Sequence, residues 1–395
     1  MMTLVEGRRR IALVIFCVFA FVFFVFADSP FDEYSIYFGN LHAHTSYSDG
    51  SGRPAEAYDF ARDEGKLDFM AITEHNHTNK INPKDPKGGK IIGEDENLYR
   101  DLIEIAQTQN QQAGFVTFYG QEFSSIKKGN HLNLFGVNKV ISDKTIENGN
   151  YRGLYEQWLP AHPEIEFLQF NHPWNGDFFI DYGLRNYNGS YKKLREAVSG
   201  YLRTFEVING PGLSDGVHKA KLEGEKHYLH YLTRGFKIAP SADQDNHKRT
   251  WGTLTKARTG VLARERTREG IKEAIRSWRC YASTDNNLKV WFSVNEKIMG
   301  SDMNADSRLL QIAYKFEDPD EADAKYDLRL LYGSIQIADS GREFKLAPVQ
   351  GDQEDTIELK TPFKKTFVYL KIIQWPTQTS RKDFVLTSPV WINVP

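Results

Sequence analysis

Asn40-Leu-His-Ala-His-Thr-Ser-Tyr-Ser-Asp-Gly50 follows a largely apolar run, Ile36–Leu41, that has the character of a strand. Alternate residues of an extended chain point to the same side, so His42 and His44 can aim both imidazoles at one point. Neutral imidazole is the commonest protein ligand for a transition metal. Asp49 lies just beyond, in a Ser-Asp-Gly turn from which a carboxylate can reach a neighbouring ion. A His-x-His pair alone is as compatible with a structural role as with a metal site. The rest of the chain has to decide.

Working outward, short apolar runs recur at Phe69–Thr73, Phe115–Gln121, Leu132–Val137, Phe167–Phe170, Thr204–Ile208, Lys237–Pro240 and Gly260–Leu262. Helical patterns lie between several of them. Pro54–Arg62 has proline in its first turn and Gly65 as a stop. Asn97–Gln112 carries Leu98, Leu102, Ile105 and Ala106 at helical spacing, and Thr267–Trp278 carries Ile271, Ala274, Ile275 and Trp278 on one face. Strands alternating with helices imply an α/β fold with a parallel sheet, and this many suggest a barrel. Lys80–Glu96, rich in Pro, Gly and Lys, reads as a loop or lid. Beyond Asp285 the texture changes. Val290–Val294, Leu309–Phe316, Leu328–Ala338, Thr356–Leu359, Thr366–Gln374 and Val390–Val394 read as strands with polar turns, which makes a small all-β sandwich. The expected organisation is a signal peptide over 1–27, a barrel over 28–285 and a sandwich over 286–395.

The 395 residues carry a net charge of −2, with 26% charged residues of mixed sign, so no basic field for nucleic acid is evident. The start of the chain reads as a secretory signal: Arg8, Arg9 and Arg10, the apolar run Ile11–Phe26, and a cleavage site after Ala27. That run is shorter than the ~20 residues of a membrane span, so export to the periplasm or medium is expected, with a retained anchor as the alternative. Cleavage removes Cys17 and leaves Cys280, which excludes an intrachain disulfide and a Cys-rich zinc site. Cys280 is expected to be a packed small hydrophobe.

Possible ligands reappear wherever a barrel strand should end. They are His75 and His77 with Glu74 after the second strand, Glu122, His131, His172, and Asp245 with His247, where Asp243 competes with Asp245. The C-terminal ends of parallel barrel strands converge on one mouth, where residues distant in sequence meet. Clusters of His, Asp and Glu suit Zn²⁺, Mn²⁺ or Fe²⁺.

These segments (NLHAHTSYSDG, AITEHN, GQEF, NHLNLFG, FNHP and DQDNH, in that order) resemble the polymerase-and-histidinol-phosphatase (PHP) family of metal-dependent hydrolases over about residues 35–285. The C-terminal extension resembles a secreted branch with carbamate- and ester-cleaving, carbaryl-esterase-like members. The resemblance implies a distorted (β/α)7 TIM-like barrel holding two or three divalent metals. It places His42, His44, Glu122 and Asp245 on a first metal, Glu122, His131 and His172 on a second, and Asp49, His75 and His247 on a third. Glu74 stands where the family usually has aspartate, and it is expected to orient His75 or a bound water. Paired cations lower the pKa of water between them and neutralise charge building on a phosphoryl group. Asp245 is the expected proton acceptor, with His247 or His77 as the acid.

Phosphomono- or phosphodiester hydrolysis of a small-molecule, lipid or sugar phosphate is therefore the leading expectation. Carboxylic ester or carbamate hydrolysis is the alternative, and an inactive binding protein the third. His162, His218, His227 and His230 show no ligand spacing and read as surface. Trp174, Asn175, Asn209 and Trp251 either line a pocket or pack the barrel. Lys248, Arg249 and Arg258 are the cations nearest the ligands that could meet a phosphate. The oligomeric state is not readable.

Overall fold

The computed structural model describes residues 29–76, 92–93, 95–110, 114–123, 131–142, 145–146, 150–173, 182–210, 224–375 and 382–395. The N-terminal segment 1–27, His77, residues 80–91 and 94 of the expected Lys80–Glu96 loop, Trp174, Asn175 and His218 lie outside them.

The first part of the chain runs through β1 (Ser35–Asn40), α1 (Pro54–Asp63), β2 (Phe69–His75), α2 (Glu96–Gln109), β3 (Val116–Phe123), β4 (Leu132–Phe135) and the single turn α3 (Tyr151–Gly153). It continues with β5 (Phe167–Phe170), α4 (Tyr191–Val198), β6 (Leu202–Asn209), α5 (Glu225–Leu232), β7 (Ala239–Asp243), β8 (Arg258–Ala263), α6 (Arg268–Arg276) and β9 (Cys280–Ser283). Local chemistry sets the helix ends. Pro54 opens α1, where a missing N–H costs nothing. Asp95 caps α2 by accepting from Asn97 N at 3.0 Å, and Thr267 caps α6 by accepting from Gly270 N at 3.0 Å. Ile271, Ala274 and Ile275 form the buried face of α6.

The expected distorted (β/α)7 barrel is seen only in part, since the sheet is not closed. The architecture is mixed α/β with one large sheet and few helices. β1, β2 and β3 are parallel, as are β5, β6 and β7, but β4 is antiparallel to both β3 and β5. The connection from Phe123 to Leu132 is too short for a crossover, which takes about a dozen residues, so the chain can only double back. The other neighbour of β1 is antiparallel β8, not β7, so no ladder closes the sheet. Its ends still meet. Ala43 and Asn246 form a parallel bridge, and the Thr259 hydroxyl accepts from Ala242 N at 2.9 Å and donates to Ala242 O at 3.1 Å.

The remaining chain is all strand: β10 (Lys289–Val294), β11 (Lys297–Ile298), β12 (Asp302–Asn304), β13 (Leu309–Glu317), β14 (Lys325–Ser334), β15 (Arg342–Lys345), β16 (Val349–Gln350), β17 (Gln353–Lys360), β18 (Lys365–Trp375), β19 (Asp383–Thr387) and β20 (Val390–Asn393). β11, β10, β13 and β17 make a four-stranded sheet. It faces β14, β18 and β20 across a core of Val290, Phe292, Leu310, Ile312, Leu328, Leu330, Val368 and Leu370. That second layer is not separate, because β19 pairs with β9 and joins it to the large sheet. Among the described residues, no helix is long and apolar enough to cross a membrane.

Candidate metal centre

β1 runs straight into the His-x-His segment. The bridge at Ala43 and a hydrogen bond from His44 N to Asn246 O (2.9 Å) fix it against the end of β7. His42 and His44 are fully buried, with their Nε2 atoms 3.2 Å apart. Both Nε2 atoms lie 3.2 Å from Asp245 Oδ1.

Glu122, on the all-buried strand β3, is the hub. Its Oε1 is 3.0 Å from His131 Nδ1, 3.1 Å from His172 Nε2 and 3.3 Å from His42 Nε2. Its Oε2 is 2.9 Å from His75 Nδ1 and 3.3 Å from His44 Nε2. On the other flank Asp49 Oδ1 lies 3.2 Å from His247 Nε2 and 3.7 Å from His75 Nε2. All nine expected residues thus meet in one cluster. Ligand atoms within 4.8 Å of one another group as His42, His44 and Asp245; His42, Glu122 and His172; His75, Glu122 and His131; and His44, Asp49, His75 and His247. The last group adds His44 to the expected trio.

The donor set fits divalent metal ions. Two imidazole nitrogens facing each other at 3.2 Å cannot both donate, and protonating both sets like charges together. Glu122 Oε2 and His247 Nε2 are buried close to charged neighbours yet have no hydrogen bond of acceptable geometry among the described residues. Cations held by the groups these residues form would satisfy such contacts. Without one, burial would raise the Glu122 pKa, but the charges of His42, His75 and His131 outweigh it and hold the carboxyl well below its usual range. Burial opposes the charge on His44, yet Asp245 and Glu122 draw its pKa up to about 10.

Two of the nine sit in strained backbone: His172 has φ 26° and Asp245 φ 48°. Left-handed conformations in such residues persist only when the surroundings over-determine them, and they gather at functional sites. Here His172 N is bonded to Glu206 Oε2 at 2.6 Å, and the carbonyl of Asp245 is bonded to His247 Nδ1 at 2.8 Å.

Glu206 was not legible as part of the site. It projects from β6, fully buried, with Oε1 3.2 Å from His42 Nδ1. A carboxylate there holds the proton on Nδ1 and leaves Nε2 free as a ligand. The signal was an acid inside the apolar run Phe205-Glu-Val-Ile208. Asn171 was missed likewise. Its Nδ2 donates to Glu122 Oε1 at 2.9 Å and to Asn133 Oδ1 at 2.8 Å.

Other expectations are corrected. Glu74 accepts from Thr45 N at 2.9 Å and from the Thr45 and Ser48 hydroxyls, and lies 3.9 Å from His44 Nδ1, so it braces the 45–48 turn. Asp243 is turned away from the cluster, accepting from Leu41 N at 2.6 Å and Gln169 Nε2 at 3.0 Å. Trp251 is packing, 1% exposed, with its indole N–H donating to His44 O at 3.1 Å. Asn209 ends β6, largely shielded. Arg258 is buried and spends its guanidinium on the carbonyls of Thr255, Ala257 and Gly252, while Arg249 pairs with Glu56 at 3.0 Å on the surface. His162 pairs with Glu164 at 2.9 Å and His230 with the Tyr191 hydroxyl at 2.9 Å.

Among solved structures, a two-domain protein from Bacteroides vulgatus containing a predicted PHP-like metal-dependent phosphoesterase matches 92% of this chain and 96% of its own, at 16% identity and a TM-score of 0.44. It carries the name of the family that the sequence motifs resemble. Shorter matches are a chitin binding domain from Burkholderia pseudomallei (10% identity, TM-score 0.18, 24% of this chain and 57% of that one) and a DUF3823 family protein from Bacteroides ovatus (14%, 0.16, 26% and 55%). No family model and no curated protein matches the chain.

Proposed function

We propose that this chain is an exported metal-dependent phosphoesterase, with residues 28–285 carrying the reaction and 286–395 packed beside them. One observation carries the reading: nine His, Asp and Glu side chains from distant segments converge around Glu122, with ligand atoms close enough to share two or three ions. Six imidazoles with three carboxylates suit Zn²⁺, Mn²⁺ or Fe²⁺. Such ions, when bound, supply Lewis-acid chemistry, polarising a phosphoryl oxygen and lowering the pKa of water. Among the ligands only Asp49, Glu122 and Asp245 are anionic, while the carboxylates of Glu206 and Glu74 stand behind His42 and His44.

The side chains divide the remaining work. Glu122 holds the centre of the cluster, and His42 lies against both Glu122 and Asp245. In the metal-free chain the charges of His42 and His247 and a hydrogen bond to His44 overcome the effect of burial and hold the Asp245 carboxyl below its usual range; with the rings neutral as ligands, Asp245 is the carboxylate placed to accept a proton. His247 donates Nδ1–H to the Asp245 carbonyl, so Nε2 carries a lone pair in the neutral ring and acts as an acid only when doubly protonated. Glu206 and Glu74 fix the rings and the turn.

A second reading, carboxylic ester or carbamate hydrolysis, is favoured by the fate of the candidate phosphate-binding arginines. Arg249 and Arg258 are engaged elsewhere. An inactive binding protein is disfavoured by the complete donor set. The test is to purify the mature chain, measure its metal content, and screen phosphomonoester, phosphodiester and carboxylester chromogenic substrates with Mn²⁺ or Zn²⁺. The double variant H42A/E122A should lose both metal and turnover. Unchanged metal content and activity in that variant would overturn the assignment.

A further inference from the structure

Asn171 touches all three residues expected on the second ion. Its side-chain Nδ2 donates to Glu122 Oε1 at 2.9 Å, its backbone N donates to the His131 carbonyl at 3.1 Å, and His172 follows it in the chain. Asn171 is fully buried, and its own carbonyl accepts from the Tyr182 hydroxyl at 2.5 Å. The main chain is thus held on both sides of this residue, by the segment that carries His131 and by a ring packed on Phe170.

A relay decides which end of the Asn171 amide meets Glu122. The Leu41 carbonyl can only accept, so the fully buried Asn133 turns Nδ2 towards it, at 3.1 Å. Asn133 Oδ1 therefore faces Asn171 and accepts from its Nδ2 at 2.8 Å. Both N–H groups of the Asn171 amide are then engaged, one by Asn133 and one by Glu122. Asn171 Oδ1 is left buried with no hydrogen-bond partner among the described residues. The donation to a carboxylate offsets that loss, since a hydrogen bond to an ionised group is about twice as strong as a neutral one.

Glu122 Oε1 meets Asn171 Nδ2, His131 Nδ1 and His172 Nε2, and of these three Asn171 alone is not an expected ligand. Imidazoles that bind an ion present lone pairs to it, so the amide remains the donor to this carboxylate. Given the metal centre proposed above, we propose that Asn171 is the positioning residue of the second ion. Its N–H holds Glu122 with Oε1 turned to His131 and His172 and Oε2 to His75 and His44, while its backbone ties His172 to His131.

The experiment titrates the chelator-treated mature chain with Co²⁺ against a competing chelator and resolves each class of site by its visible spectrum. N171L keeps the branched shape and removes the donor. The class that depends on Glu122 should weaken about 10- to 100-fold. The group of His44, Asp49, His75 and His247 lacks Glu122, and its class should keep the parent's affinity. A general loosening of the fold would weaken both alike. A crystal structure of the parent with Co²⁺ carries the test if N171L does not fold: Asn171 Nδ2 should remain hydrogen-bonded to Glu122 Oε1, and an Asn171 turned away from it would overturn the proposal. Parental affinity in every class of N171L, or an equal loss in every class, would also overturn it. A parent that takes up no Co²⁺ would instead overturn the metal centre, and this role with it.

Discussion

Replacing Glu206 isolates the contribution of a residue that touches no ion itself. Its carboxylate accepts from two fully shielded groups, His42 Nδ1 at 3.2 Å and His172 N at 2.6 Å. In Glu206→Ala both lose their acceptor. At about 1–3 kcal/mol for each buried group left unpaired, a loss of at least about 2 kcal/mol in unfolding free energy is expected. Glu206→Gln is more selective. Its amide oxygen can keep the His172 N–H, which leaves an amide NH₂ facing His42. That donor forces the His42 proton from Nδ1 to Nε2, the atom that faces Asp245 and Glu122. Metal affinity should then fall about 10- to 100-fold, with much smaller loss of stability. Chelator competition followed by the visible spectrum of bound Co²⁺ measures the first quantity, and urea unfolding of the metal-free chain measures the second. Parental affinity in E206Q would refute the idea that Glu206 sets the His42 tautomer, whatever the stability of E206A.

Further outcomes follow from neighbouring contacts. Asp245→Asn should strip metal whereas Asp243→Asn should not, as read by metal analysis after gel filtration, because only Asp245 faces the two Nε2 atoms. Burial, then the charge of Glu206, raises the Asp243 pKa from 3.8 to about 7. In the metal-free chain this carboxyl is therefore protonated when folded and ionised when unfolded between those values. Its contribution to stability should fall as pH rises from about 4 to about 7, and Asp243→Asn should remove that contribution from pH-dependent unfolding curves. Glu74→Gln can keep two of three bonds to the 45–48 turn and should cost less than Glu74→Ala, which strands buried donors at about 1–3 kcal/mol each. Tyr182 stacks on Phe170 with ring centres 3.8 Å apart and donates to Asn171 O at 2.5 Å. Tyr182→Ala should cost about 3–5 kcal/mol and Tyr182→Phe only about 0.5–1.5 kcal/mol in denaturant unfolding.

Much of the site could be read without coordinates because its ligands are short-range events: a His two residues after a His, or an acid at the end of an apolar run. Strands β1 to β8 overlap the runs that announced them, because β-rich apolar segments bounded by polar turns have few alternatives. What failed was long-range. The direction of β4 depends on the length of a connection, not on its own four residues. β9, four residues between Arg279 and Thr284, is too short to stand out and becomes a strand because β8 and β19 flank it. Glu206 and Asn171 escaped for a related reason. A buried polar residue in a strand announces that it has a partner, but nothing local says which.

The ladder between β9 and β19 has a consequence for how this chain could be divided or borrowed. Val385, Leu386 and Thr387 cover the edge of β9, and Ile36, Phe38, Leu262 and Tyr281 pack in the same core as Val290 and Ile372. A fragment ending near Asp285 would bare both an open strand edge and half a core, an invitation to aggregate. The C-terminal strands are therefore no detachable cassette: recombination that exchanged them would have to carry a matching β9 edge, and the two halves should have diverged as a pair.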